Sequence, residues 1–140
     1  MKKSHIFLIC VLLGCSQSSF AEQPIVQAEI PGVTRVSAEE VVDMINRLPQ
    51  LVVVDSRRKD EFAEGHIEGA INITDTEMTR AKLKKFVPRR DTPLLFYCNG
   101  ERCRRSSIAA KLALKWGYSN VFWFRGGWQE WSAKYLPVAR

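Results

Sequence analysis

With 140 residues, the chain has room for one small domain and little more. Hydrophobic residues make up 46% and charged residues 26% of it, which is ordinary for a globular protein and excludes a disordered or low-complexity chain. The formal net charge is +6, but the arginines form no stripe interleaved with stacking aromatics, so nucleic acid is excluded as a partner and the basic excess fits small anions or plain solubility.

Lys2 and Lys3 precede an apolar stretch, residues 6–13, that carries no charge. The stretch falls well short of the roughly 20 residues of a membrane span. The pattern predicts an export signal over residues 1–21. Two cleavage readings compete. Ser19-Phe20-Ala21 fits a small-x-small site ahead of Glu22. Leu12-Leu13-Gly14-Cys15 resembles a bacterial lipobox, which would leave Cys15 as a lipidated N-terminus and the domain's only link to a membrane. Either way the domain is expected to be exported to the bacterial periplasm, soluble or lipid-anchored. Without residues 1–21 it keeps 19 basic and 15 acidic residues, a net charge of +4.

Residues 22–33 hold two prolines, a glycine and no sustained periodicity, and read as a linker to a domain over 34–140. Residues 34–36 fit a short strand. Ser37 and Glu40 have capping-box spacing, and Val41, Met44, Ile45 and Leu48 follow at helical spacing, so a helix opens at Ser37. "LVVVDSR" is a continuous β-branched run, as expected of a central strand in a parallel sheet. "KDEFAEGHIEGA" reads as a short helical turn closed by glycine, then a loop. A strand is predicted at 70–73, and "DTEMTRAKLKKF" reads as an amphipathic helix stopped by Pro88. "PLLFYC" is another buried strand. Residues 105–116 form a helix with Ala109, Leu112, Ala113 and Trp116 on one face and Gly117 at its C-terminus. "VFWF" is the last strand and "GWQEWSAKYL" the last helix. The alternation predicts an α/β fold: a parallel sheet of four to five strands flanked by helices on both faces.

Ligands of such sheets bind beyond the carboxyl ends of the strands. Two strand ends carry polar residues: Asp55-Ser56-Arg57 and Cys98 onward. Cys98 ends a buried strand and precedes a helix, so loop N–H groups and the helix dipole both favour an anion there. A thiol so placed loses its proton more easily, and the thiolate is the nucleophile. Arg102, Arg104 and Arg105 could hold an anionic substrate or stabilise the thiolate, and Gly100 lets the loop turn tightly. Outside the export signal and Cys15, Cys98 and Cys103 are the only cysteines. An oxidising compartment permits a small structural disulfide between them. Two cysteines and His66 fall short of a closed zinc site.

These residues carry a resemblance. "VVVDSRRKDEFAEGHIEGAINI" resembles the N-terminal signature of rhodanese-type sulfurtransferases through Asp55, Arg57, Glu61-Phe62, Gly65-His66-Ile67 and Gly69-Ala70-Ile71-Asn72. "GYSNVFWFRGGWQEWSAKYLPV" resembles the C-terminal signature through Gly117-Tyr118, Val121, Gly126-Gly127-Trp128 and Trp131. Between them, "LLFYCNGERC" stands where the family keeps its catalytic cysteine. The resemblance implies the single-domain rhodanese fold and a Cys98 that takes a sulfane sulfur from thiosulfate or a polysulfide as a persulfide. The sulfur would pass to cyanide or a thiol, or to a protein partner, with no metal or organic cofactor. Asn99, Gly100, Glu101, Arg102, Cys103, Arg104 and Arg105 would form the substrate-binding loop. Asp55 and Arg57 would pin loops on the active rim by ion pairing, His66 would brace the loop, and Trp128 would belong to the core or line the pocket.

The sequence departs from the common form in this loop. Glycine stands two positions after the cysteine, the loop is expanded, and Cys103 sits inside it. Cys98 and Arg104 also have five residues between them, the spacing of tyrosine phosphatases, including the phosphatases and arsenate reductases built on the rhodanese fold. The histidine those enzymes carry before the cysteine is replaced by Tyr97. A third alternative is a redox or sulfur-carrier module, in which Cys103 resolves a modified Cys98 into a disulfide.

Overall fold

The computed structural model describes residues 28–140. The export signal, Cys15 and residues 22–27 of the linker lie outside the described residues. Along the chain run β1 (Thr34–Val36), α1 (Ala38–Arg47), β2 (Val52–Asp55), α2 (Lys59–Glu64), β3 (His66–Ile67), β4 (Ile71–Asn72), α3 (Arg80–Phe86), β5 (Leu94–Tyr97), α4 (Arg105–Lys115), β6 (Val121–Phe124), α5 (Gly127–Ala133) and β7 (Val138–Ala139). The main sheet has five parallel strands in the order β1-β6-β5-β2-β4. Strands β3 and β7 form a separate antiparallel pair, with Ile67 opposite Val138.

β5 is the central strand, and all four of its residues are buried. Its side chains alternate between two cores. Leu94 and Phe96 pack with Leu83 of α3 and Ala109, Ala110 and Ala113 of α4. Leu95 and Tyr97 pack with Ala38 and Val41 of α1 and Trp131 of α5. Helices therefore cover both faces, as the apolar strand required. The three alanines allow α4 to lie close to the sheet. Emptying the middle of this arrangement, as in Phe96→Ala, costs about 3–5 kcal/mol by the usual measure of a buried aromatic.

Local chemistry sets the element ends. The Ser37 hydroxyl accepts the Glu40 N–H at 3.3 Å, and the Glu40 carboxylate accepts the Ser37 N–H at 2.7 Å, which starts α1 as its sequence predicts. The helix expected from "DTEMTRAKLKKF" is divided. A 3-10 turn spans Asp75–Glu77, and Thr79 then caps α3 by accepting the Lys82 N–H at 3.1 Å. An N-cap in the middle of that stretch ends one element and begins another. The small β3–β7 sheet was not foreseen, because two-residue strands leave no periodicity to read. Ile30, in the segment read as linker, is 4% exposed and packs into the α4 face of the core, so the packed chain begins no later than this residue.

Candidate active site

The strand ends converge as the parallel topology dictates. Cys98 follows β5 directly and is 1% exposed. The loop from Cys98 to α4 is held from below by α5. The Trp128 N–H donates to the Cys98 carbonyl and the Gln129 N–H to the Asn99 carbonyl, both at 2.8 Å. First-turn N–H groups of a helix have no partner within the helix, and here the loop supplies the acceptors. Close approach explains Gly126-Gly127. Gly127 has φ +55°, and a Cβ there would collide with the Cys98 carbonyl oxygen. Within the loop the Cys103 N–H donates to the Gly100 carbonyl at 2.9 Å. Among the described residues, the N–H groups of Gly100, Glu101 and Arg102 find no backbone acceptor. Asn99 is fixed by donating to Glu61 at 2.9 Å. Cys98 and Cys103 are joined as a disulfide, with their Cα atoms 6.1 Å apart. That separation is ordinary for such a bond. Cys98 is enclosed, while Cys103 is only partly buried.

Under the loop lies a buried polar floor. Arg57 is 2% exposed and Asp55 fully buried. The Arg57 guanidinium donates twice to Asp55 Oδ2, from Nη2 at 2.7 Å and Nε at 3.0 Å, and once to the Gly65 carbonyl at 2.7 Å. Tyr97 donates its hydroxyl proton to Asp55 at 2.5 Å and accepts the Ile67 N–H at 3.2 Å. The Trp128 ring closes over Arg57, with 4.3 Å between guanidinium carbon and ring centroid. Burial alone would lower the Arg57 pKa, but the hydrogen bonds and charge of Asp55 outweigh it and raise it. Burial, reinforced by the Asp55 charge, pushes the Tyr97 pKa well above the phenol range, so Tyr97 stays a donor. Asp55 and Arg57 thus tie the end of β2 to Gly65 and to the base of α5, and neither reaches the loop surface.

The three loop arginines are unequal. Arg105 lies between Glu61 and Asp75, at 3.5 Å and 3.6 Å. Arg102 and Arg104 are exposed and make no ion pair among the described residues. A fourth cation, Arg125 at the end of β6, comes to the same rim. It pairs with Glu101 at 3.1 Å and is 17% exposed. Its Nε is buried without a hydrogen-bond partner among the described residues. Arg125 and Glu101 line a cleft of about 420 Å³. His66 stacks on Phe62, 3.7 Å between ring centroids, and its Nδ1 lies 2.9 Å from the Phe62 carbonyl, at the foot of α2. Among the described residues, no three histidine, cysteine, aspartate or glutamate side chains gather as a metal site.

Comparison with known proteins agrees with this arrangement. The rhodanese-like domain family matches residues 37–134. The chain belongs to that family. A rhodanese domain-containing protein of Drosophila melanogaster is 34% identical over 107 residues, covering 69% of this chain and 94% of its own. The uncharacterized protein YibN of Escherichia coli K12 is 29% identical over 106 residues, covering 75% and 71%. A mitochondrial protein of Schizosaccharomyces pombe, whose name proposes a thiosulfate sulfurtransferase, is 32% identical over 93 residues, covering 59% and 64%. Among solved structures, a rhodanese-related protein of Thermoplasma volcanium superposes with a TM-score of 0.59 at 26% identity, covering 76% of this chain and 97% of its own.

In this rhodanese-like domain the positions singled out in the sequence occupy two levels. Cys98 to Arg105 form the loop, and Asp55 and Arg57 form the floor. Sequence reasoning missed three participants. Arg125 gave no signal, because its relevance comes from Glu101, which is distant along the chain. Glu61 stood within a recognised motif, but its bond to Asn99 was invisible. The N–H groups of Trp128 and Gln129 were foreshadowed only by the Gly-Gly pair, which alone reads as a turn.

Proposed function

We propose that this domain is a sulfurtransferase that carries a sulfane sulfur on Cys98. The carrying observation is the placement of Cys98: an enclosed sulfur at the end of the central strand, on a loop whose carbonyls α5 fixes and whose N–H groups at Gly100, Glu101 and Arg102 are left without backbone acceptors among the described residues. Donors arranged in advance stabilise charge that develops on a bound sulfur oxyanion and on a persulfide. The name of the fission yeast relative points to the same chemistry.

In the first half-reaction the Cys98 thiolate attacks the outer sulfur of thiosulfate. A new S–S bond forms, the old one breaks, and sulfite leaves with its electron pair, giving Cys98–S–S⁻. In the second, cyanide or a thiolate attacks the outer sulfur and Cys98 departs as thiolate. Arg102 and Arg104, exposed and without ion pairs among the described residues, draw the anionic donor to the loop. With residues 1–21 acting as an export signal, this chemistry would take place in the periplasm.

Reduced protein mixed with thiosulfate is expected to release one sulfite per domain, and Cys98→Ala none. Hydrolysis of an aryl phosphate or reduction of arsenate, without sulfite release, would move the site to the phosphatase or arsenate reductase alternative that uses Cys98 and Arg104.

A further inference from the structure

The disulfide between Cys98 and Cys103 points to a step that plain sulfur transfer lacks. Resting on the sulfur-transfer reading, we propose that Cys103 turns the domain into a dithiol-dependent, sulfide-releasing enzyme. Three observations carry this. The loop brings the two sulfurs into bonding contact, with Cα atoms 6.1 Å apart. The turn that achieves it is built in, through the Cys103 N–H to Gly100 carbonyl bond. The two sulfurs differ in access, since Cys98 is 1% exposed and Cys103 only partly buried.

The chemistry balances. Once Cys98 carries the sulfane sulfur, the Cys103 sulfur attacks the inner sulfur, Cys98 Sγ. The bond between the inner and outer sulfurs breaks, and the outer sulfur leaves as hydrosulfide with the proton given up by the Cys103 thiol: Cys98–S–S⁻ plus Cys103–SH gives the Cys98–Cys103 disulfide plus HS⁻. The sulfane sulfur is reduced and the cysteine pair oxidised. A dithiol must then restore the pair. Its first thiolate attacks the accessible Cys103 sulfur and Cys98 leaves as thiolate. The second thiol closes the reductant's own disulfide and frees Cys103. Overall, thiosulfate and one dithiol give sulfite, hydrosulfide, a disulfide and a proton. The enclosure of Cys98 assigns each cysteine its part: the buried one receives sulfur, the accessible one meets the reductant.

The experiment uses the domain reduced with dithiothreitol, freed of the reductant without air, and mixed with thiosulfate. Sulfite, hydrosulfide and intact mass are followed for the wild type and Cys103→Ser. The wild type is expected to release one sulfite and one hydrosulfide per domain and to finish with residues 98 and 103 linked in its peptide map. Cys103→Ser is expected to release sulfite alone and keep one extra sulfur on Cys98. If the wild type releases sulfite yet holds its sulfur as a lasting persulfide, the inference is overturned while the sulfurtransferase reading stands. A Cys98–Cys103 bond that survives excess dithiothreitol in the native domain also overturns the inference. If neither protein releases sulfite, the sulfurtransferase reading itself fails and the inference falls with it. The wild-type outcome decides the matter even if the variant folds poorly.

Discussion

Asp55, Arg57 and Tyr97 commit their charges and donors to one another, whereas Arg102 and Arg104 in the loop above them are left to solvent. The floor is enclosed and its charged groups answer one another, with the buried Ser56 hydroxyl left without a partner among the described residues. The loop keeps backbone N–H groups and cations in reserve. A region whose polar groups are all satisfied holds its shape, and one with unmet groups on a fixed scaffold can bind. On the sulfurtransferase reading, the division gives Asp55 and Arg57 a structural part and leaves the chemistry to the loop, although both belong to the motifs that mark the family.

The largest expected effect tests the loop half of this division. Cys98→Ala should lower sulfur transfer by more than about 10³-fold while leaving the fold intact, as circular dichroism would show. Loss of structure instead would mean that Cys98 serves mainly as core. Next comes the floor. Asp55→Ala strands a buried guanidinium, and breaking such a pair costs about 3–5 kcal/mol, measurable by urea unfolding. A loss of activity without that loss of stability would place Asp55 in the chemistry instead. Gly127→Ala, at the junction of the two regions, should cost about 1–3 kcal/mol through its left-handed backbone and should also lower turnover, because the new Cβ displaces the Cys98 carbonyl. Arg102→Gln and Arg104→Gln should leave the unfolding midpoint unchanged and raise the thiosulfate KM roughly two- to fivefold each, an effect that salt should erase.

The smallest effect concerns Glu61, which ties the loop to α2. Burial raises the pKa of its carboxyl, but the Asn99 hydrogen bond, the Arg58 N–H and the charges of Arg58 and Arg105 outweigh this and bring it below the usual value. A folded pKa lower than the unfolded one, about 4.3, gives stability that is present above that pH and lost as pH falls through the depressed value. The melting-temperature gap between wild type and Glu61→Gln should therefore be steady near neutrality and close below about pH 4. A gap that persists in acid would mean that the carboxylate charge is not what holds Asn99.

Most of the architecture was legible because burial on both faces leaves a mark on a strand. "LVVVDSR", "PLLFYC" and "VFWF" could hardly lie elsewhere than inside a covered parallel sheet, and their C-terminal ends then had to share a rim. The capping box at Ser37 fixed a helix start for an equally local reason. What escaped depends on contacts between distant segments. Nothing near Arg125 announces Glu101, and nothing near Glu61 announces Asn99. The pairing of His66–Ile67 with Val138–Ala139 joins two-residue segments that are separated by most of the domain. The spacing of Cys98 and Cys103 permitted a disulfide, but only the Cys103-to-Gly100 turn shows the loop curled enough to form one.

The attachment of the loop to α5 has a wider consequence. Both bonds from α5 end on carbonyl oxygens, at Cys98 and Asn99, and every residue type offers the same carbonyl. The clamp is therefore indifferent to most of the sequence it holds. Side-chain constraint falls on four loop positions: Asn99 meets Glu61, Gly100 faces Gln129, Glu101 pairs with Arg125 and Cys103 is tied to Cys98. Arg102 and Arg104, which are exposed and make no ion pair among the described residues, can be exchanged or recharged without touching the bonds that hold the end of β5. On the sulfurtransferase reading, the charges that would meet the substrate can therefore change independently of the cysteine that would react with it.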